Sequence, residues 1–165
     1  MANPRSSQMQ RLWAPWREAY LTRPMPRGCV FCLAKRRRDG RKSLVVHRGM
    51  EVFCLLNLYP YNNGHALVAP YRHVRSLAQL TDREAADLIR TTALMEARLR
   101  RLLRPQGFNV GINLGRVAGA GIPGHLHLHL VPRWKGDTNF MPVTGQTKVI
   151  SVSLETLARE LRRAA

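Results

Sequence analysis

The sequence predicts an α+β fold: an antiparallel sheet of about five strands with one long helix and flanking short helices. Three observations predict it. Short apolar runs separated by turn residues fill the first half, as is typical of paired strands. Residues 81–105 carry apolar positions at a helical period. Two further strand patterns follow, and residues 151–163 form a short amphipathic helix.

The strand predictions rest on apolar runs bounded by turn signals. A short Arg-Gly turn separates the first two runs, which indicates a hairpin, and Asn63-Gly64 leads into the third. The run that contains His-Leu-His-Leu-His-Leu alternates strictly, so it is predicted as the last central strand. The five predicted strands cover residues 43–49, 51–57, 65–72, 107–115 and 125–132.

Local signals mark the helix and the turns. Thr81 and Glu84 form a capping box at the start of the long helix, and Pro105 marks its end. Residues 29–32, Cys-Val-Phe-Cys, are predicted as a knuckle-like turn before an exposed basic run. Residues 116–124 are rich in glycine and predicted as a loop.

Length and composition limit the classes of protein. We expect residues 1–10 to be disordered and residues 11–165 to form a single domain, with Trp13 and Trp16 most simply in its core. No apolar run is long enough for a membrane helix or a signal peptide, so a cytoplasmic protein is expected. The 27 basic and 10 acidic residues give a net charge of +17. This charge favours an anionic partner, which is nucleic acid, an anionic membrane or a small phosphorylated substrate, or it reflects only an arginine-rich surface.

Three histidines, His125, His127 and His129, alternate with leucines and therefore share one face of their strand. They span roughly 13 Å of strand, which is too far for all three to bind one tetrahedral ion. Chance placement has no packing rationale. At least one of the three histidines must therefore serve a purpose other than metal binding.

This histidine pattern resembles the signature of the histidine triad (HIT) superfamily of nucleotidyl transferases and hydrolases. Residues 57–74 and 107–124 are similar to further family segments. Residues 12–21 and 131–143 resemble a bacterial branch described as diadenosine tetraphosphate phosphorylase-like. The resemblance implies a HIT-like fold and attack of an imidazole nitrogen on the α-phosphorus of a nucleotide, giving a covalent nucleotidyl-histidine.

The resemblance also implies roles for individual residues. His127 is the expected nucleophile, and His129 is expected to donate to phosphate oxygens. Backbone N–H groups of the glycine loop, at Gly119 and Gly121, are expected to add donors. Tyr59 and Tyr61 either flank the base or pack the turn. The remaining substrate-binding candidates are Asn57, His65, Asn113 and Arg133, where Arg133 is equally well explained as solvated charge.

Cys29 and Cys32 have the spacing at which two thiolates chelate one zinc ion, and a redox pair is the competing interpretation. Zinc needs two more ligands. Similarity to some HIT relatives implies that His73 and His125 complete the set. A closed Cys₂His₂ site would be a structural zinc site, which leaves His127 and His129 for chemistry.

Three hypotheses about function follow. The first is an enzyme that cleaves a dinucleoside polyphosphate at the α-phosphate, with phosphate or water as acceptor. The second is a purine nucleoside phosphoramidase with the same intermediate. The third, less favoured, is a nucleic-acid-binding module that uses the positive charge. The family resemblance also implies a homodimer with a small nucleotide substrate and no membrane partner.

Overall fold

The described part of the chain contains a five-stranded antiparallel sheet, whose strands lie in the order β1-β2-β3-β5-β4. Its strands are β1 (Val45–Arg48), β2 (Val52–Leu56), β3 (Ala66–Pro70), β4 (Gly107–Ile112) and β5 (Leu128–Arg133). The helices are α1 (Val30–Arg36), α2 (Asp82–Leu103) and α3 (Leu154–Arg163), with a 3₁₀ turn at Leu77–Gln79. The predicted α+β fold is confirmed.

The computed structural model describes residues 28–36, 43–137 and 152–164. All of them fall within one compact unit, Met25–Asp137 together with Ile150–Ala165. The predictions for residues 1–10, for Trp13 and Trp16 and for a domain boundary at residue 11 lie outside the described residues. None of the described helices is long and apolar enough to cross a bilayer.

Helix α2 begins where the capping box predicts. The Thr81 hydroxyl accepts a hydrogen bond from the Glu84 backbone N–H at 3.2 Å, and the Glu84 carboxylate accepts one from the Thr81 N–H at 2.8 Å. The helix ends at Arg104, whose φ of 48° places it in the left-handed region that stops further helical hydrogen bonding. Pro105 then prevents continuation.

Both faces of the sheet are covered. One face packs against α2 and α3 through a large apolar cluster that includes Leu128, Leu130, Met95 and Leu161. The other face carries a smaller cluster around Phe31 of α1, which packs with Phe53 and neighbouring strand residues. The alternation at and before β5 therefore works as predicted: Leu128 and Leu130 enter the large cluster, while His125 and His127 contact Phe31 on the other side of the sheet.

Two local predictions were wrong. Residues 29–32 do not form an isolated turn, because the Cys29 carbonyl accepts the Leu33 N–H at 3.0 Å and begins α1. The last strand begins at Leu128 and not at His125. Since Val68 pairs with Leu128, the position opposite Leu126 belongs to Pro70, and proline has no N–H to extend the ladder.

Candidate active site and metal centre

The three histidines lie on a short extended path from the glycine-rich loop into β5. The loop and the path are joined by a hydrogen bond from the His125 N–H to the Ile122 carbonyl, and the Leu126 N–H bonds to the Val74 carbonyl. His125 and His127 are almost fully buried, at 1% and 5% exposure. Their imidazoles are therefore held by protein contacts and not by solvent.

The imidazole of His127 is fixed by its own strand. Its Nδ1–H donates to the backbone carbonyl of His125 at 2.7 Å. This bond assigns the proton to Nδ1 and leaves a lone pair on Nε2. Burial lowers the pKa of His127, although the bond to the His125 carbonyl opposes this. A neutral imidazole with a free Nε2 lone pair is the form that acts as a nucleophile.

A hydrogen-bond relay fixes the third histidine. The Tyr61 backbone N–H donates to Nδ1 of His65 at 3.0 Å, so the His65 proton lies on Nε2. That Nε2–H in turn donates to Nδ1 of His129 at 3.0 Å. The relay therefore places the His129 proton on Nε2, a buried atom that has no hydrogen-bond partner.

An unpartnered buried donor indicates a place for a ligand oxygen. Burial lowers the pKa of His129 to about 4, so its imidazole is neutral and donates a single Nε2–H at neutral pH. The ring centroids of His127 and His129 lie 4.9 Å apart. A nucleophilic nitrogen and a hydrogen-bond donor are thus side by side, which suits attack on a phosphorus atom whose oxygens need a donor.

Two aromatic rings contact these histidines, and no sequence pattern predicts either contact. Tyr61 lies parallel to His129, with ring centroids 5.9 Å apart and an angle of 5°, and it also contacts His65 at 4.6 Å. Phe31 lies 4.8 Å from His127 and 5.0 Å from His125. The contacts of Tyr61 fit a ring that packs the turn beside the histidines, and Phe31 lies within the Cys-x-x-Cys stretch.

The structure brings together the four residues for which a metal site was expected. One ligand atom from each of Cys29, Cys32, His73 and His125 lies within 4.8 Å of the others. Nδ1 of His125 is 3.2 Å from the Cys29 sulfur, 3.7 Å from the Cys32 sulfur and 3.2 Å from Nδ1 of His73. Bond lengths of about 2.0–2.3 Å to a tetrahedral ion give ligand separations of about 3.3–3.8 Å.

The donor set fits a metal ion in chemistry as well as in distance. The Nε2–H of His125 donates to the Pro70 carbonyl at 2.9 Å, which leaves Nδ1 as the atom with a lone pair. Burial lowers the pKa of His125 to about 4, so its imidazole is neutral and able to coordinate. Burial also raises the pKa of the Cys29 thiol, a cost that a bound cation would offset.

The other predicted substrate residues are distributed around the histidines. The Asn57 amide contacts Nδ1 of His65 at 3.3 Å and accepts the Tyr59 N–H, so here it supports the turn. The side-chain nitrogen of Asn113 lies beside Gly119, which has a φ of 89°. Their contacts with a nucleotide stay predictions.

Arg133 and Gly121 carry less structural support. Arg133 lies four residues beyond His129, and its guanidinium binds both carboxylate oxygens of Asp137, at 2.6 and 2.9 Å. A guanidinium held in this way has less capacity for a phosphate. Gly121 lies in the loop before the histidines, as expected. Both assignments stay predictions.

Comparisons with known proteins agree with this geometry. The chain is 44% identical over 164 residues to "AP-4-A phosphorylase" of Mycobacterium tuberculosis, covering 94% of this chain and 82% of that one. It is 35% identical over 95 residues to the asymmetrical bis(5'-nucleosyl)-tetraphosphatase of Schizosaccharomyces pombe, covering 58% and 52% of the two chains.

A solved structure and a family profile point the same way. A Zn-bound histidine triad family protein from Mycobacterium smegmatis superposes with a TM-score of 0.65 at 26% identity, covering 82% of this chain and 91% of that one. The profile of the HIT domain matches residues 39–136, which is more than half of the chain. With that match and a relative at 44% identity, the chain belongs to the HIT domain family.

Proposed function

We propose that this protein cleaves a dinucleoside polyphosphate at the α-phosphate, by transferring a nucleotidyl group through His127. The observation that carries the proposal is the pair formed by His127 and His129. The hydrogen bond to the His125 carbonyl leaves the His127 Nε2 lone pair available, and the adjacent His129 Nε2–H is a buried donor without a partner. Nucleotidyl transfer through a histidine uses both groups, the nitrogen to attack phosphorus and the donor to stabilise the phosphoryl oxygens.

The reaction divides into two displacements. In the first, Nε2 of His127 forms a bond to the α-phosphorus, and the bond from that phosphorus to the bridging oxygen breaks. The bond's electron pair leaves with the departing nucleoside polyphosphate. The His129 Nε2–H binds the phosphoryl oxygens, whose charge increases in the transition state. In the second displacement, an acceptor oxygen attacks phosphorus and the histidine nitrogen leaves with its electron pair, which restores neutral His127.

The names of two relatives support the substrate class. One is called an AP-4-A phosphorylase and the other an asymmetrical tetraphosphatase, so both act on dinucleoside tetraphosphates by name. They differ in the acceptor that the names imply, which is phosphate in the first and water in the second. The first is the more similar to this chain, so we propose phosphate as the acceptor.

The test is incubation with diadenosine tetraphosphate, with and without inorganic phosphate, and separation of the products by chromatography. We expect ATP and ADP, and only when phosphate is present. AMP and ATP without phosphate would identify water as the acceptor. Absence of turnover, together with cleavage of an adenosine phosphoramidate, would contradict the proposal in favour of a phosphoramidase.

His127→Asn is the decisive variant, because asparagine keeps a polar group but has no nucleophilic nitrogen. We expect it to lose nucleotidyl transfer and to form no covalent nucleotide adduct. His47→Asn is the matched control, since His47 lies in β1 and two strands separate β1 from β5. Equal loss in both variants would indicate a general effect on folding and not a nucleophile at His127.

We further propose that Cys29, Cys32, His73 and His125 hold a structural zinc ion. The support is the donor set, the separations of 3.2–3.7 Å that the structure gives for His125, and the zinc in a solved relative. When bound, such an ion would join the start of α1 to the segment that follows β3, at His73, and to the segment that precedes β5, at His125. A closed set of four protein ligands would leave no open coordination position for catalysis. A cytoplasmic location is proposed with it, because reduced thiols are needed for zinc binding.

Metal analysis of the purified protein tests this site. We expect about one zinc per chain in the parent and a loss of zinc in Cys29→Ser. Cys54→Ser is the control, because Cys54 is fully buried in β2 and burial raises the pKa of its thiol to about 12. Equal zinc in the parent and in Cys29→Ser would remove Cys29 from the site.

A homodimer is proposed as the working form. Strand β4 lies at an edge of the sheet, and Val110 on it is 53% exposed. Ile89 on α2 is 63% exposed, which makes it a second apolar side chain available to a partner. Light scattering should give twice the mass of one chain in the parent and a lower mass in Val110→Glu. The mass of a single chain in the parent would contradict the proposal.

A further inference from the structure

The first turn of α1 lies between the metal cluster and the proposed nucleophile. Cys29 and Cys32 place their sulfurs near His125, at 3.2 and 3.7 Å. Between them in sequence, Phe31 is completely buried. Its centroid lies 4.8 Å from the ring of His127 and 5.0 Å from the ring of His125.

A second connection runs through the backbone. His125 is a member of the metal cluster through Nδ1, and its carbonyl accepts the Nδ1–H of His127. The same residue that would bind the metal ion therefore also orients the nucleophile. Phe31 packs against both imidazoles and closes this arrangement from the side of α1.

We propose that Phe31 is a positioning residue: metal binding fixes its ring, and the ring fixes the orientation of the His127 imidazole. The inference rests on the proposed function, in which His127 is the nucleophile. Two ligands of the cluster flank Phe31, so metal binding fixes the helical turn that carries its ring. The ring then occupies one side of His127 and restricts the imidazole to the orientation in which Nδ1–H meets the His125 carbonyl.

The rest of the Phe31 environment is suited to this role. Phe31 belongs to the apolar cluster on the histidine face of the sheet, with Phe53, Leu67 and Ala69. Ile122, from the glycine-rich loop, packs against the same cluster. Among these neighbours, it is Phe31 whose ring contacts are with His125 and His127, while Phe53 stacks on Tyr71 at 5.3 Å. Phe53 therefore offers a matched control.

The test compares Phe31→Leu with Phe53→Leu in the zinc-loaded protein. Both substitutions remove a buried ring from one cluster, but only the first removes the contact with the histidines. With diadenosine tetraphosphate and phosphate, we expect Phe31→Leu to lower kcat by about tenfold to a hundredfold at nearly unchanged KM and zinc content. Phe53→Leu should keep the parent kcat, whatever its effect on stability.

Side-chain ¹H–¹⁵N spectra of the histidines give a readout that does not depend on turnover. In the parent, we expect the His127 signals of an Nδ1–H tautomer, and we expect them to shift or broaden in Phe31→Leu and after zinc removal by a chelator. Phe53→Leu should leave them in place. Signals that stay unchanged after zinc removal would overturn the proposal, and so would equal kcat losses in the two leucine variants.

The two levels of inference can fail separately. If the parent does not cleave the dinucleotide at all, the proposed function fails, while the spectra of the parent, Phe31→Leu and Phe53→Leu still decide the positioning role. If Phe31→Leu does not fold, Phe31→Met takes its place, because methionine keeps an apolar side chain and removes the ring. An active parent whose His127 signals ignore the metal would leave the function standing and refute the link.

Discussion

Removal of the His65 imidazole tests whether the relay from Tyr61 to His129 serves the chemistry. In His65→Ala, Nδ1 of His129 loses the donor that it meets at 3.0 Å. The His129 ring is then free to rotate or to move its proton from Nε2 to Nδ1. In either case the donor next to His127 is less well directed at the phosphoryl oxygens.

The magnitude follows from one buried hydrogen bond. A buried acceptor left without its donor costs about 1–3 kcal/mol. If this cost falls on the transition-state geometry, kcat decreases by a factor of about five to about a hundred. Direct removal of a donor to a developing oxyanion costs about a hundredfold to a thousandfold. We therefore expect His129→Ala to be more damaging than His65→Ala.

The assay is the initial rate of diadenosine tetraphosphate cleavage at saturating substrate. His65→Gln should recover most of the loss, because its amide can donate to Nδ1 of His129. His47→Ala, in β1, should keep the parent rate. A parent-like rate for His65→Ala would refute the relay, as would a larger loss in His65→Ala than in His129→Ala.

Three further predictions address stability. Leu161→Ala removes a fully buried side chain of α3 and should lower the free energy of unfolding in urea by about 2–5 kcal/mol. Its zinc content should equal that of the parent, because α3 packs on the sheet face opposite the histidines; loss of zinc would contradict this. The stability of the protein should also decrease as the pH falls from about 6.5 to about 4. In this range His129 takes up a proton in the unfolded chain but not in the folded state, where its pKa is about 4. His129→Gln should therefore reduce the dependence of the unfolding free energy on pH. Thr81→Ala should lower the free energy of unfolding by about 1 kcal/mol and speed amide hydrogen exchange in the first turn of α2. Unchanged exchange would show that the cap does not stabilise the helix.

Local sequence signals predicted the elements that depend on local interactions. The capping box fixed the start of α2 because Thr81 and Glu84 satisfy each other's backbone groups without help from the rest of the fold. The start of β5 depended instead on its partner strand, since Pro70 ends the ladder opposite Leu126. No reading of the β5 sequence alone could have shown this.

The turn predicted at residues 29–32 was wrong for a related reason. Metal-ligand spacing suggested a knuckle, but residues three apart on a helix also lie on one face. Cys29 and Cys32 can therefore approach one ion from the beginning of α1, and the metal interpretation survives the change from turn to helix. The spacing of Cys29 and Cys32 indicated a metal site but did not distinguish a turn from the start of a helix.

The contacts within the site were the least predictable feature. His65 and His129 are 64 residues apart in sequence, and nothing in either segment indicates that their ring nitrogens meet at 3.0 Å. The contact of Phe31 with His127 depends on how α1 packs on the sheet. Family resemblance indicated the candidate residues. Their tautomers and the contacts between them depend on the three-dimensional packing.

Pro70 shows how the end of the sheet and the chemistry depend on each other. Its missing N–H ends the pairing with β5 before His127, so the backbone of residues 125–127 is not committed to strand β3. The Leu126 N–H bonds to the Val74 carbonyl instead, so the Pro70 carbonyl accepts the Nε2–H of His125. Two residues further on, the Nδ1–H of His127 bonds to the His125 carbonyl. Both imidazoles are thus oriented by carbonyls at the point where the ladder stops. A ladder that continued to Leu126 would pair the Leu126 N–H with the Pro70 carbonyl and leave the Nε2–H of His125 without the bond that selects its tautomer.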